Sequence, residues 1–213
     1  MPPKDRRLRE REDTRNKIID AAREMFAVDG VDAVTMRAIA DRIEYTPTAI
    51  YHHFRDKQAL LEELCARDYG ALAQSFVRIG RIEDPVERLR RIGLAYVEFA
   101  LEHPAHYRFM FMTRKPEGFS GAGDLQRGNP EEDAYAFLRD TMAEGILAGR
   151  YRPEFDDAEE LAQMMWSGVH GVVSLHLAKD NDVWVDWRDT RATAKKMIEV
   201  MIRGAIKGGS TKG

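Results

Sequence analysis

The sequence predicts an all-α protein, a three-helix helix-turn-helix head followed by a larger helical body, with about nine helices over 213 residues. Three observations carry that prediction. N-cap boxes bearing acids and prolines recur along the chain, and apolar residues repeat at helical spacing behind them. No alternating β-branched run bounded by tight-turn residues appears. The composition, 44% hydrophobic and 32% charged, belongs to a folded globular chain and is too apolar for a disordered one. No apolar run approaches the roughly 20 residues that span a bilayer, and MPPKDRRLRERED lacks the apolar stretch of a secretory leader. A cytoplasmic protein without membrane partners is expected. The single cysteine, Cys65, rules out an internal disulfide and is expected to pack as a small apolar residue.

The elements follow in order. Over 13–29, Ile18, Ala21, Ala22, Met25 and Phe26 form one apolar stripe, and Asp29-Gly30 ends the helix. Thr35 caps a helix over 35–42 with Met36, Ile39 and Ala40 on its inner face. After the turn Ile43-Glu44-Tyr45, Thr46 caps a helix over 46–53, with Pro47 at its first position and Ala49, Ile50, Tyr51 and Phe54 at core spacing. A longer helix spans 56–79. Asp84-Pro85-Val86-Glu87 opens 84–102, and a helix over 104–113 falls in the aromatic- and methionine-rich segment HPAHYRFMFM (103–112). Asn129-Pro130-Glu131-Glu132 opens 130–149, Asp156-Asp157-Ala158-Glu159 opens 156–179, and a last helix covers 188–207. The Gly-, Ser- and Lys/Arg-rich loop 114–128 is expected to be disordered, and the tail 208–213 frayed. The expected division is a three-helix head over 1–60 and a larger helical body over 61–213.

Two short helices joined by a tight turn and braced by a longer one make a helix-turn-helix, whose second helix enters the major groove by its N-terminal residues. That explains the crowded segment TPTAIYHHFRDK. The Thr46 and Thr48 hydroxyls and the first-turn amides can meet base edges or phosphates, Tyr51 and His52 can donate to backbone oxygens, and Lys57 offers a cation. Charge is distributed accordingly. Residues 1–60 carry a net +1 and the remainder −4, and seven Lys or Arg face four acids across residues 4–17. Those opening residues read equally as a solvated leader and as a basic arm seeking phosphates.

The stretch TMRAIADRIEYTPTAIYHHFRDKQALL resembles the DNA-binding signature of the TetR family of repressors, over roughly residues 14–61. That resemblance implies a homodimer that binds operator DNA, with DNA contacts by Thr35, Arg37, Thr46, Thr48, Tyr51, His52 and Lys57. Met36, Pro47 and His53, which adjoin them, complete the expected interface. Most members have Gly-Val in the turn where this chain has Glu44-Tyr45, so a left-handed residue there would cost about 1 kcal/mol.

The body holds most of the aromatics and methionines. Phe99, Tyr107, Phe111, Met142, Trp166 and His170 are the candidate walls and polar handles of a cavity for an apolar or aromatic small molecule, with His176 a further handle. An ordinary core accounts for most such residues at helical spacing. The run Trp166-Ser-Gly-Val-His170-Gly171 resembles the WHG type of TetR C-terminal domain. Ser167, Gly171, Ser174 and Ala178 form a stripe of small residues, and Ala194, Ile198, Met201 and Ala205 offer matching spacing on the last helix. Two such helices from each subunit would build a four-helix dimer interface, and a contact within one chain accounts for the stripe nearly as well. No Glu stands three residues before any of the six histidines, and no phosphate-loop, nucleophile-elbow or dinucleotide fingerprint is present. Neither an enzyme nor a metal or cofactor is expected. The remaining alternative is a DNA-binding architectural protein without an effector.

Overall fold

The computed structural model describes residues 3–117, 119, 121, 125–179 and 182–207. Among them the chain forms helices α1 (Pro3–Asp29), α2 (Met36–Arg42), α3 (Pro47–Tyr51), α4 (Lys57–Phe76), α5 (Pro85–Glu102), α6 (Pro104–Tyr107), α7 (Ala134–Leu147), α8 (Ala158–Lys179) and α9 (Thr190–Ala205). A 3₁₀ turn covers Ile79–Arg81, and α6 runs on into a π-helical turn at Arg108–Met112. The Asp84 and Asp157 carboxylates accept first-turn amides of α5 and α8 as the sequence announces, and Asp133 and Asp189 do the same for α7 and α9. Asp133 takes the role expected of Asn129, because residues 129–133 form turns before α7 begins. The N-terminal helix begins ten residues before the expected position 13. Part of the loop 114–128 and the whole of the tail 208–213 lie outside the described residues.

The chain divides into two compact units, Met1–Tyr69 with Ala105–Asp124, and Gly70–Pro104 with Leu125–Gly213. The first is built on Ile18, Ala22 and Phe26 of α1, Met36 and Ile39 of α2, Ile50 of α3, Phe54, and Leu60, Leu61 and Leu64 of α4, all buried. Phe26 stacks on Phe109 at 6.1 Å, and the Tyr69 hydroxyl donates to the Met110 carbonyl at 3.1 Å, so the π-helical turn belongs to this unit. A buried ion pair crosses it. Asp68, with no exposed surface, accepts from Arg23 Nε and Nη2 at 2.9 Å, and His106 Nδ1 lies 3.1 Å from the same carboxylate. The boundary expected at residue 60 falls inside α4.

In the second unit α5, α7, α8 and α9 pack together. Gly93 of α5 lets Ile198 of α9 approach so closely that a Cβ there would meet its Cδ1 at 2.9 Å. Gly168 of α8 lies against the Met201 sulfur in the same way. At Gly145 the Tyr151 ring occupies the place a side chain would need, and an isolated antiparallel bridge joins Tyr151 to Ile206. These close approaches hold the hairpin of α8 and α9 onto α5 and α7.

Candidate nucleic-acid interface

The interface grows from two capped helix starts. The Thr35 Oγ1 accepts from the Ala38 amide at 3.1 Å and the Thr46 Oγ1 from the Ala49 amide at 3.3 Å. A hydroxyl that accepts from its own helix keeps its proton for an outside acceptor, which suits it to a phosphate oxygen. Pro47 sets the first position of α3. Between the two helices Tyr45 donates its amide to Ala40 at 2.9 Å, and Glu44 takes a left-handed backbone, φ 60°. The expected strain at this non-glycine residue is therefore present.

Thr35, Arg37, Thr46, Thr48, Tyr51 and His52 are all exposed, Pro47 and His53 half-buried. Tyr51 keeps 53% of its surface open, unusual for a large side chain with no role in the core. Met36 does not join them: it is 5% exposed and packs in the core, because position N1 of α2 turns its side chain inward. Lys57 differs from expectation in role. Its ammonium donates to the carbonyls of Val31 and Val34, both at 3.0 Å, so it ties the loop between α1 and α2 to the start of α4. Sequence spacing showed the cation but not these acceptors.

Arg15, which sequence reasoning passed over, ties α1 to α4 and to the residues that follow α3. Its guanidinium is paired with Glu63, donates to the His53 carbonyl at 2.7 Å and lies 4.3 Å from the centroid of the Phe54 ring. Glu63 also accepts from Arg67 at 2.7 Å. Burial would raise the Glu63 carboxyl, but the bonds and charges of Arg15 and Arg67 outweigh it and hold the group below the ordinary range. Burial, then the charges of Arg11, Arg15 and His52, hold the His53 imidazole below its usual value.

In the second unit Trp166 and His170 meet edge to face at 6.0 Å, Tyr135 lies 6.0 Å from Trp166, and the Tyr96 hydroxyl is 3.0 Å from His170 Nδ1. Burial lowers the His170 pKa and favours the neutral ring. Phe99 is buried against His103 at 5.3 Å. Met142 has no exposed surface and receives the Tyr151 hydroxyl at 3.7 Å on its sulfur. Tyr107 and Phe111 belong to the first unit, where their rings lie 5.2 Å apart and Tyr107 is fully buried. A cleft of about 330 Å³ in the second unit is lined by Leu101, His176, Trp187, Arg188, Asp189, Thr190 and Arg191, of which only His176 was among the candidates.

On α8 the expected stripe faces outward: Ser167 and Ala178 are exposed, Ser174 is half-buried, and a Cβ on Gly171 would meet nothing within 4 Å. On α9 the expectation is corrected. Ala194, Ile198 and Ala205 are 0–2% exposed inside their own chain, and half-buried Met201 lies on Gly168. The outward apolar residues are Met164 and Leu175 of α8 and Met197 and Val200 of α9. One stripe of α9 was legible, but spacing alone does not say which of two apolar stripes a helix turns inward.

The profile described as "Bacterial regulatory proteins, tetR family" matches residues 18–64, and that described as "Tetracyclin repressor-like, C-terminal domain" matches residues 89–201. The second covers more than half of the chain. The chain belongs to the TetR family. It is a DNA-binding transcriptional regulator of helix-turn-helix type. The HTH-type transcriptional repressor KstR2 of Mycolicibacterium smegmatis is 30% identical over 148 residues, 67% of this chain and 69% of that protein. Two solved structures share the fold. The ketosteroid transcriptional regulator KstR2 of Mycobacterium tuberculosis superposes with a TM-score of 0.68 at 20% identity, covering 92% of this chain and 96% of that one. The fatty acid degradation regulator FadR of Bacillus halodurans gives 0.67 at 18% identity, covering 93% and 96%. The WHG type is not named by the matching profile and stays a resemblance of Trp166, His170 and Gly171.

Proposed function

We propose that this TetR-family regulator is a cytoplasmic, non-enzymatic homodimeric repressor, released from its operator by an apolar small molecule. The carrying observation is the exposed set Thr35, Arg37, Thr46, Thr48, Tyr51 and His52 on two capped helix starts, polar groups that a buried head would not leave open. Thr48 and Tyr51 meet bases or the adjacent backbone, and Arg37 and His52 meet phosphates. Dimerisation is supported by the outward face of Met164, Ser167, Gly171, Leu175 and Ala178 with Met197 and Val200, since a two-fold interface needs one self-complementary patch. In such a dimer the two copies of α3 must match half-sites about 34–36 Å apart.

The effector reading rests on Phe99, Trp166 and His170 with Tyr96, aromatic walls around a neutral imidazole and a phenol. The relatives point the same way in chemistry: one is a ketosteroid transcriptional regulator and another a fatty acid degradation regulator. An effector that binds only one arrangement of the dimer lowers DNA affinity by its differential binding. Complete burial of Met142 and Tyr107 favours a second reading, a DNA-binding protein without an effector. The test is binding to duplexes from the promoter next to its own gene, repeated with steroid and fatty-acyl compounds. Operator binding that a compound weakens, with saturable binding of that compound, supports the first reading. Binding that no compound alters supports the second, and no sequence preference at all would sink both.

A further inference from the structure

We infer that the N-terminal extension of α1 presents Arg7 and Arg11 to DNA phosphates, lengthening the contact beyond the helix-turn-helix. The inference rests on the DNA-binding reading above. The family profile begins at residue 18, so the first four turns of α1 stand outside the common reading head. Residues 5–13 are exposed throughout, so no core explains why the chain extends this helix. Its register is fixed by Arg15, which is clamped to Glu63, the His53 carbonyl and the Phe54 ring at the end of α3. Residues four apart stack on one helix face, so Arg11 and Arg7 continue the line of Arg15 away from that anchor. At 1.5 Å per residue they carry charge about 12 Å beyond it.

Neither cation is neutralised. Several arginines of this unit have carboxylates: Arg6 lies 3.3 Å from Glu10, Arg67 reaches Glu63 and Glu12, and Arg23 holds Asp68, whereas Arg9, on another side of α1, has no ion pair among the described residues and so serves as a control of position. Among the described residues Arg7 and Arg11 have no ion pair or hydrogen bond from their side chains. The acids Glu10, Glu12 and Asp13 stand about 100° or more around the helix from Arg11. Burial, and then the charge of Arg11, lower the His53 pKa just past α3, in keeping with the line that runs on from Arg15. An unpaired basic stripe on an exposed extension of α1, in the same unit as the DNA-reading helix, suits a second strip of phosphates rather than bases.

The experiment measures the salt dependence of binding to sheared mixed-sequence duplex DNA by the full chain and two variants. One is Arg7→Ala with Arg11→Ala; the other, Arg6→Ala with Arg9→Ala, removes equal charge from other sides of the same helix. Alanine preserves helicity, which circular dichroism checks. The slope of log affinity against log salt should flatten by about 0.9 for each phosphate that is no longer neutralised, and so by about 3.6 for the four of a dimer. The control pair should flatten it by less than half as much. Wild-type slopes in the first variant, or equal flattening in both, would overturn this inference while leaving the helix-turn-helix reading intact. A wild type with no DNA binding at all would overturn both.

Discussion

The reading head and the paired helices α8 and α9 both leave large side chains open to solvent, but of opposite chemistry. Around α2 and α3 they are threonines, an arginine, a tyrosine and a histidine; on α8 and α9 they are Met164, Leu175, Met197 and Val200. Polar groups on rigid helix starts invite a polar, anionic partner whose oxygens complete them. A strip of apolar groups gains only by losing water against another apolar strip. The interiors differ as well. Asp68 and Arg23 form a buried ion pair across the first unit, whereas the second is knitted by close helix contacts at Gly93, Gly145 and Gly168. One unit carries a buried charge pair in its core, and the other depends on close fit.

The largest expected effect tests that contrast. Asp68→Ala leaves the Arg23 guanidinium buried without its main carboxylate and should cost about 3–5 kcal/mol. A thermal melt that moves by only a degree or two would mean that water or Asp20 replaces it. On the other unit, Gly171→Leu adds bulk where its own chain offers no contact within 4 Å. The isolated subunit should fold normally, while the proposed dimer should be weakened by about 1–3 kcal/mol at each of two symmetric contacts. Sedimentation as monomers confirms the outward face; an unchanged dimer moves the interface elsewhere.

Thr48→Ala removes an exposed hydroxyl that caps nothing, so operator affinity should fall by about 1–3 kcal/mol with an unchanged melting temperature. Comparing operator with mixed-sequence DNA separates base reading from phosphate contact. Glu44→Gly should stabilise the head by about 1 kcal/mol, since glycine takes the left-handed turn without strain. It also removes an exposed acid near the proposed DNA surface, so affinity should rise.

The smallest effect is one of pH. Glu63 is held below its ordinary value by Arg15 and Arg67. Its folded pKa is depressed, so its contribution is complete above the ordinary value of 4.5 and lost as pH falls through the lower folded value. The melting difference between wild type and Glu63→Gln should therefore be largest near neutrality and shrink in acid.

The amino-acid sequence by itself determined the all-helical class, the helix starts at Thr35, Thr46 and Asp84, and the polar set that α2 and α3 leave exposed. Those features depend on contacts within four residues, a cap with its amides or an apolar stripe with its period, and so are written locally. Only the tertiary structure decided which partners distant side chains take. Lys57 could not be assigned to the Val31 and Val34 carbonyls, nor Arg15 to Glu63, because those partners lie more than twenty residues away. Met36 was drawn inward by the packing of α2, and Ala194, Ile198 and Ala205 by the approach of α9 to its neighbours in the same chain. Periodicity reports that a helix has an apolar stripe. Which surface covers that stripe depends on where the rest of the chain comes to lie.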